Sequence, residues 1–264
     1  MDSENGVSRV LDSSDTARAL ESRAPHAGAC VTLTFHRFGP VRARLWAFAQ
    51  MGASRFSLPK VPDIGEWKLC GSGANQGFVP IPNTAVAVIL ATWPDEATAR
   101  ARVADCRPFT SWRRMAEETF TVFLAPTSAR GKWAGVEPFT VSAEPVPGGP
   151  VAILTRATVK PKVAMQFWRR TPGLNRAILD DPNVVFRIGI GEVPLVQQVT
   201  FSIWPDTETM HAFAHARGTL HADAIRAVRE GKWFREELYA RFRILCTSGT
   251  WGGKDPLDRL EERQ

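Results

Sequence analysis

Apolar and polar residues alternate along this chain in two patterns, which predict strands and helices in a repeating order. Strand-like apolar runs and apolar stretches with helical spacing follow one another twice, in the order strand, helix, strand, strand, helix, strand. The predicted strands cover residues 31–35, 67–69, 84–92 and 120–124, then 151–155, 186–188, 199–203 and 242–246, and the first predicted helix of each set covers residues 41–51 and 163–170. This order is typical of a ferredoxin-like unit and predicts that the chain contains two of them.

A tripeptide, Trp-Pro-Asp, ends one apolar strand in each half, beginning at Trp93 and at Trp204. Proline holds the residue before it in an extended conformation, so the strand ends there. The aspartates, Asp95 and Asp206, are then placed to accept hydrogen bonds from the free amides of the following helix. We therefore interpret the tripeptide as structural and not catalytic.

The two halves predict an α+β fold in which tandem ferredoxin-like repeats form a single-chain barrel of the dimeric α+β type. Chance similarity between two α+β halves is the alternative. The predicted divisions are a disordered tail at 1–28, a first half at 29–145, a second half at 146–250 that carries the ligand site, and a C-terminal tail at 251–264. The apolar space between a sheet and its helices could hold a flat ligand.

Composition and charge narrow the function classes. The chain has 264 residues and a net charge of +6, but its Lys and Arg residues are spread singly or in pairs, which argues against nucleic-acid binding and allows only a modest attraction to acidic ligands or anionic membrane surfaces. The four cysteines have no metal-binding spacing and predict buried thiols. With no bilayer-spanning apolar run and no signal-peptide pattern, we expect a cytoplasmic protein with at most a peripheral membrane contact.

Three histidines in the second half are candidates for chemistry. His211 and His215 have the i, i+4 spacing of a metal pair, but no carboxylate stands beside them, so a solvated helix flank is the default interpretation. His221 lies inside an apolar arc of the next helical stretch beside the small residue Ala224. A core histidine and a ligand both remain open for it. For His36, at the end of the first strand, a surface or structural role is favoured.

Long composite segments carry a resemblance to a known family. They are FHRFGPVRARLWAFAQMG at 35–52, WKLCGSGANQGF at 67–78, PNTAVAVILATWPD at 82–95, FSIWPDTETM at 201–210 and HADAIRAVREGKWFREELYARFRILCTSGTWGGKDPL at 221–257. These segments resemble the spheroidene monooxygenases of bacterial carotenoid biosynthesis. The resemblance covers nearly the whole chain from about residue 30 to residue 257.

The resemblance implies a haem-containing monooxygenase that uses molecular oxygen and electrons from reduced ferredoxin to place a keto group on an acyclic carotenoid. Given a haem, His221 is the expected axial iron ligand beside Ala224, with His215 and then His211 as alternatives. The expected pocket-wall residues are Trp46, Phe48, Phe167, Trp168 and Phe213. The family supplies no assignment of catalytic residues here.

Three other functions stay open at this point. One is a non-catalytic protein that binds or senses a small apolar ligand on the same barrel. Another is a haem enzyme that acts on a different apolar metabolite. A third is a monooxygenase without cofactor that acts on a quinol-like substrate, although the sequence offers no obvious proton-transfer pair for it. An absorption spectrum distinguishes the haem enzymes from the other two.

Overall fold

The structure is a computed structural model that describes residues 29–77, 79–166, 181–193, 196–215 and 233–261. Four residues predicted for the site, His221, Ala224, Phe167 and Trp168, lie outside the described residues, as does the segment 1–28.

Eight strands form the framework of the described chain. They are β1 (Cys30–Arg37), β2 (Trp67–Gly73), β3 (Val79–Trp93), β4 (Glu118–Gly131), β5 (Val151–Val159), β6 (Phe186–Gly191), β7 (Gln197–Trp204) and β8 (Phe234–Gly249). The helices are α1 (Val41–Ser57), α2 (Ala74–Gly77), α3 (Glu96–Asp105), α4 (Phe109–Met115), α5 (Thr207–His215) and α6 (Asp258–Glu261), with 3-10 turns at Leu58–Lys60 and Pro161–Val163. Among the described residues, no helix is long and apolar enough to cross a membrane.

All eight strands pair antiparallel in one closed barrel, in the order β1, β3, β2, β6, β7, β5, β8, β4. Within each half the spatial order is fourth, first, third, second strand, which is the order of a ferredoxin-like unit. The halves join where β2 pairs with β6 and where β4 pairs with β8. The predicted fold, tandem ferredoxin-like repeats in an α+β barrel, is therefore confirmed.

The two Trp-Pro-Asp segments occupy equivalent positions. Trp93 pairs with Cys30, the first residue of β1, and Trp204 pairs with Val151, the first residue of β5. Each aspartate caps its helix as predicted: Asp95 Oδ1 accepts from the Thr98 amide at 2.7 Å, and Asp206 Oδ1 from the Thr209 amide at 2.7 Å. The strand registers thus align the two halves residue by residue.

Alternate residues of every strand point into the barrel and fill it. Four phenylalanine rings form the centre, with centroids 5.2 to 6.2 Å apart; these are Phe35, Phe120, Phe186 and Phe201. Trp251, which follows β8, packs 6.1 Å from Phe35 and 6.3 Å from Phe186. Leu257 and Leu260 pack against the same cluster, so the described part of the predicted C-terminal tail contacts the core.

A group of charged residues surrounds Trp133 inside the barrel. The Arg156 guanidinium and the Lys68 ammonium lie 5.7 and 6.0 Å from the centroid of its ring. The indole Nε1 of Trp133 donates to Glu192 at 2.6 Å, and Arg156 pairs with Glu236. The two carboxylates offset the two cations. The barrel interior is therefore occupied by side chains, so a large ligand would have to lie on an outer face of the sheet.

Candidate functional site

The outer face of the first half is a packed apolar core. The indole of Trp112 is fully buried between that face and α1, and it donates to Ser54 Oγ at 2.9 Å. Trp93 is buried in the same layer and donates to Thr32 Oγ1 at 2.9 Å. Other buried side chains complete this layer: Phe38, Ala43, Ala47, Leu58, Leu69, Ile89, Ala91, Val103, Phe109 and Phe123. Side chains thus occupy the space between sheet and helices in the first half.

Three central positions on the outer face of the second half carry smaller side chains than their first-half equivalents. In the first half Leu69 pairs with Ile89, four residues before the strand-ending tryptophan. In the second half Gly189 pairs with Thr200, which lies four residues before Trp204, the counterpart of Trp93. Gly189 lacks the whole side chain that Leu69 has, and Thr200 is smaller than Ile89, so these two side chains fill less space over the sheet than their first-half counterparts.

A third equivalent pair shows the same difference. His36 and Ala157 both lie six residues into their half's first strand, counted from Cys30 and Val151, which pair with the two tryptophans. His36 is fully buried in the first half, whereas Ala157 contributes only a methyl group. The centre of the second outer face is thus lined by Gly, Ala and Thr.

An apolar cluster lies at one end of this second face. The ring of Phe213 on α5 packs 5.0 Å from that of Trp204, and Met210 is buried beside them. Trp204 donates through Nε1 to Ser202 Oγ at 3.0 Å, which fixes its ring against the sheet. A face with small residues at its centre and aromatic residues at its edge suits a large, flat, apolar ligand. We assign the candidate site to this face.

The structure places the other predicted site residues as follows. Trp46, half-buried on α1, has its ring 5.9 Å from that of Trp112 and belongs to the first-half core. Phe48 is 75% exposed on the same helix. His211 is half-buried on α5, and His215 is the last residue of that helix. Only Phe213 of the described pocket-wall residues lies at the second face.

The described residues contain no group of three or more His, Cys, Asp or Glu side chains that could hold a metal ion. The cysteines are free thiols, with Cys30 and Cys70 buried and Cys106 and Cys246 half-buried. Burial raises the pKa of Cys30 to about 12 and that of Cys246 to about 11, so both remain protonated at neutral pH. Their reactivity as thiolates is correspondingly low.

His36, for which the sequence favoured a surface or structural role, lies fully buried under the first-half helices. Its Nδ1 is 3.1 Å from Thr119 Oγ1, and its ring centroid is 5.5 Å from that of Trp112. Burial, with the nearby charge of Arg113, lowers the pKa of His36 from 6.5 to about 3. A neutral imidazole is therefore part of the core; no signal in the sequence indicated this, because His36 alternates with the polar residues Thr32 and Thr34 along β1.

This burial predicts a pH-dependent stability. Below pH 6.5 the unfolded chain binds a proton at His36 that the folded chain does not, so the free energy of unfolding falls as the pH falls toward 3. Urea titrations from pH 7 to pH 4 should show the difference between the wild type and His36→Gln shrinking, by up to about 1.4 kcal/mol per pH unit. If the stability difference between the two proteins stays constant over this range, the folded chain takes up a proton at His36 as readily as the unfolded chain does, and the pKa of His36 is not lowered.

Comparison with curated proteins identifies close relatives. The chain is 52% identical to the spheroidene monooxygenase of Cereibacter sphaeroides over 227 residues, which are 86% of this chain and 70% of that protein. It is 49% identical to the spheroidene monooxygenase of Rhodobacter capsulatus over 236 residues, 88% of this chain and 98% of that one. The spheroidene monooxygenase of Rubrivivax gelatinosus is 34% identical over 217 residues, 80% of this chain and 81% of that one. No protein-family model matches the chain.

Solved structures share the fold. The aldoxime dehydratase OxdRE, in complex with butyraldoxime, has a TM-score of 0.55 and 11% identity, with 83% of this chain and 80% of that chain covered. A second aldoxime dehydratase has a TM-score of 0.51 and 12% identity, with 81% and 80% covered. At such identities the likeness concerns the fold alone. The sequence relatives go further, since their identities of 34 to 52% extend over at least 80% of this chain, and the chain therefore belongs to the spheroidene monooxygenase family.

Proposed function

We propose that this protein is a haem-dependent monooxygenase that inserts oxygen into an acyclic, spheroidene-like carotenoid to form a keto group, with a ferredoxin-type protein as electron donor. Family membership supports an oxidoreductase of the monooxygenase class. The observation that carries the rest is the second outer face, where Gly189, Ala157 and Thr200 replace the bulky core residues of the first half. Small side chains at these positions would allow a macrocycle to lie close to the sheet.

The described residues of this face fit a haem. Gly189 and Ala157 allow a flat ring to lie close to the strands, and Trp204 with Phe213 offers aromatic surface at its edge. Arg187 is half-buried on the same face and pairs along the strands with Ser202. Its guanidinium suits the carboxylates of a haem. The chemistry that a bound haem supplies is the activation of molecular oxygen with electrons from the donor.

His221, outside the described residues, is the side chain that we propose to hold the iron. In the first half, the connection between the third and fourth strands carries α3 and α4, and Trp112 from this connection packs on the outer face. The second-half connection starts with α5, whose Phe213 packs on Trp204. The tandem repeat therefore supports a position for His221 over the face described above. Ala224 beside it would leave space for the ring.

The chain's own residues would bind and shield an apolar substrate. Trp204, Met210 and Phe213 form an apolar wall that can orient a polyene and keep water from the reacting carbon. Excluding water at this wall would limit side reactions with solvent.

The proposal is tested with the whole protein expressed with a haem supply. We expect a Soret band, and we expect reduced ferredoxin, labelled oxygen gas and an acyclic carotenoid to give a keto product that carries the label. The same ketone incubated in labelled water measures exchange at the carbonyl and serves as the control. A protein that has no Soret band but still binds carotenoid would instead be a non-catalytic apolar-ligand binder, and a product with oxygen only from water would exclude a monooxygenase.

A further inference from the structure

Helix α1 carries an apolar stripe that faces solvent. Val41, Leu45, Phe48 and Phe56 are 71%, 66%, 75% and 77% exposed. At 100° per residue these four side chains fall within an arc of about 80°, with Gly52 at its centre. The exposed stripe is therefore continuous over nearly the whole length of the helix, which is about 25 Å.

The stripe is turned away from the protein core. The buried residues of α1 are Ala43, Ala47 and Ser54, and they fall on the opposite side of the helix at the same angular spacing. Small side chains thus pack directly on the sheet, and Trp46 and Met51 pack against the same core from either side of them. Four further large apolar side chains point outward, whereas an ordinary surface helix turns a polar face to solvent.

Arginines flank the stripe on both sides. Arg42 lies on one side, and Arg44 and Arg55 lie on the other. The Arg44 Nε donates to the carbonyls of Phe38 and Gly39 at 3.1 and 3.0 Å, which holds its guanidinium beside the start of the helix. Helix α1 contains no Asp or Glu, and the whole chain carries a net charge of +6.

We propose that α1 docks this protein on the surface of a lipid bilayer that contains anionic lipids. The stripe would enter the boundary between headgroups and acyl chains while the arginines meet lipid phosphates, as in other helices that lie in the membrane plane. This inference goes beyond the proposed function and does not depend on it.

Charge and shape favour a bilayer over a protein partner. A second copy packed stripe to stripe would bring the flanking arginines of both helices together, and like charges in contact weaken such a pairing. An acidic protein surface would satisfy the arginines but would leave the two phenylalanines without an apolar partner. A bilayer with anionic lipids presents negative charge and hydrocarbon within a few ångströms of each other.

Vesicle flotation with the full chain tests the proposal. We expect binding to phosphatidylcholine vesicles that contain about 30% phosphatidylglycerol, with weaker binding at high salt and to phosphatidylcholine alone. The double variant Phe48→Ser/Phe56→Ser should bind at least about tenfold more weakly. Arg42→Glu should weaken binding to the anionic vesicles only.

Two further variants serve as controls, one expected to leave vesicle binding unchanged and one expected to strengthen it. Met165→Ser changes a side chain that is 71% exposed away from α1 and should leave binding unchanged. Gly52→Leu adds an apolar side chain at the centre of the stripe, where an added Cβ meets nothing within 4 Å, and should strengthen vesicle binding. Melting curves confirm that each variant is folded.

The proposal is overturned if the double variant and the wild type bind vesicles equally, or if Gly52→Leu has no effect while the protein remains folded. A wild type that is dimeric in solution and a double variant that is monomeric, with equal vesicle binding, would assign the stripe to a second copy. Loss of binding to an acidic donor protein, again with unchanged vesicle binding, would assign it to that protein.

Discussion

Replacing His221 by Ala is expected to abolish haem binding and, with it, the oxygenase activity. The reason is the prediction from the sequence that this histidine falls within an apolar arc of a helical stretch, where desolvation would favour the neutral imidazole that binds iron. Haem content and the ferrous carbon monoxide spectrum of the purified protein measure the effect. The residual haem of the variant should be less than about a tenth of the wild-type level.

His215→Ala and His211→Ala are the matched variants, because both residues lie on α5 shortly before His221 in the chain. We expect both to retain haem and an unchanged spectrum. If His215→Ala loses the haem while His221→Ala keeps it, His215 is the ligand. If all three variants keep it, the iron ligand is not among these histidines.

Filling the second outer face should also eliminate haem binding while the barrel stays folded. In the variant Gly189→Leu/Thr200→Ile, each position receives a residue like the one that the first half uses, Leu69 or Ile89. Those side chains pack well in the first half, so the second sheet can accept them, but they would occupy the volume assigned to the ligand. We expect haem content and carotenoid turnover to fall by at least about a hundredfold, since overlap with a bound ring costs several kcal/mol.

Gly52→Leu serves as the control for this variant, since it makes the same glycine to leucine change on the opposite half of the protein, where an added Cβ has open space. It should retain full haem content. Circular dichroism and the melting temperature separate a blocked site from an unfolded protein. Normal haem binding by the folded double variant would contradict the assignment of the site to this face.

The sequence was sufficient to predict the eight strands and their order along the chain, although β3, β4 and β8 extend well beyond the predicted ranges. Proline after Trp93 and Trp204 ends each strand locally, and Asp95 and Asp206 cap the following helices with their own side chains. Period-two alternation needs no information from distant residues either. These signals act within a few residues, and they were enough to reveal the internal repeat and therefore the α+β barrel.

Angular spacing on α1 shows why helix contacts were harder to predict. This helix has two apolar stripes, one of small residues with Ala43 and Ala47 and one of large residues with Phe48 and Phe56. Periodicity alone cannot tell which stripe faces the sheet, and size would have favoured the wrong one. Because Trp112 of α4 is already buried beside α1, the centre of the contact has room only for small residues such as the two alanines, and Trp46 packs beside them.

The sequence by itself determined the order of the elements, the repeat and the family, because each depends on local propensity or on a long match between residues. Tertiary structure alone decided that His36 is a buried, neutral core residue and that Arg156 and Lys68 lie against Trp133 inside the barrel. It also decided that Gly189 stands where Leu69 stands in the other half. These facts depend on which strands become neighbours when the barrel closes, and a pairing between residues far apart in the chain leaves no periodic signal in either segment.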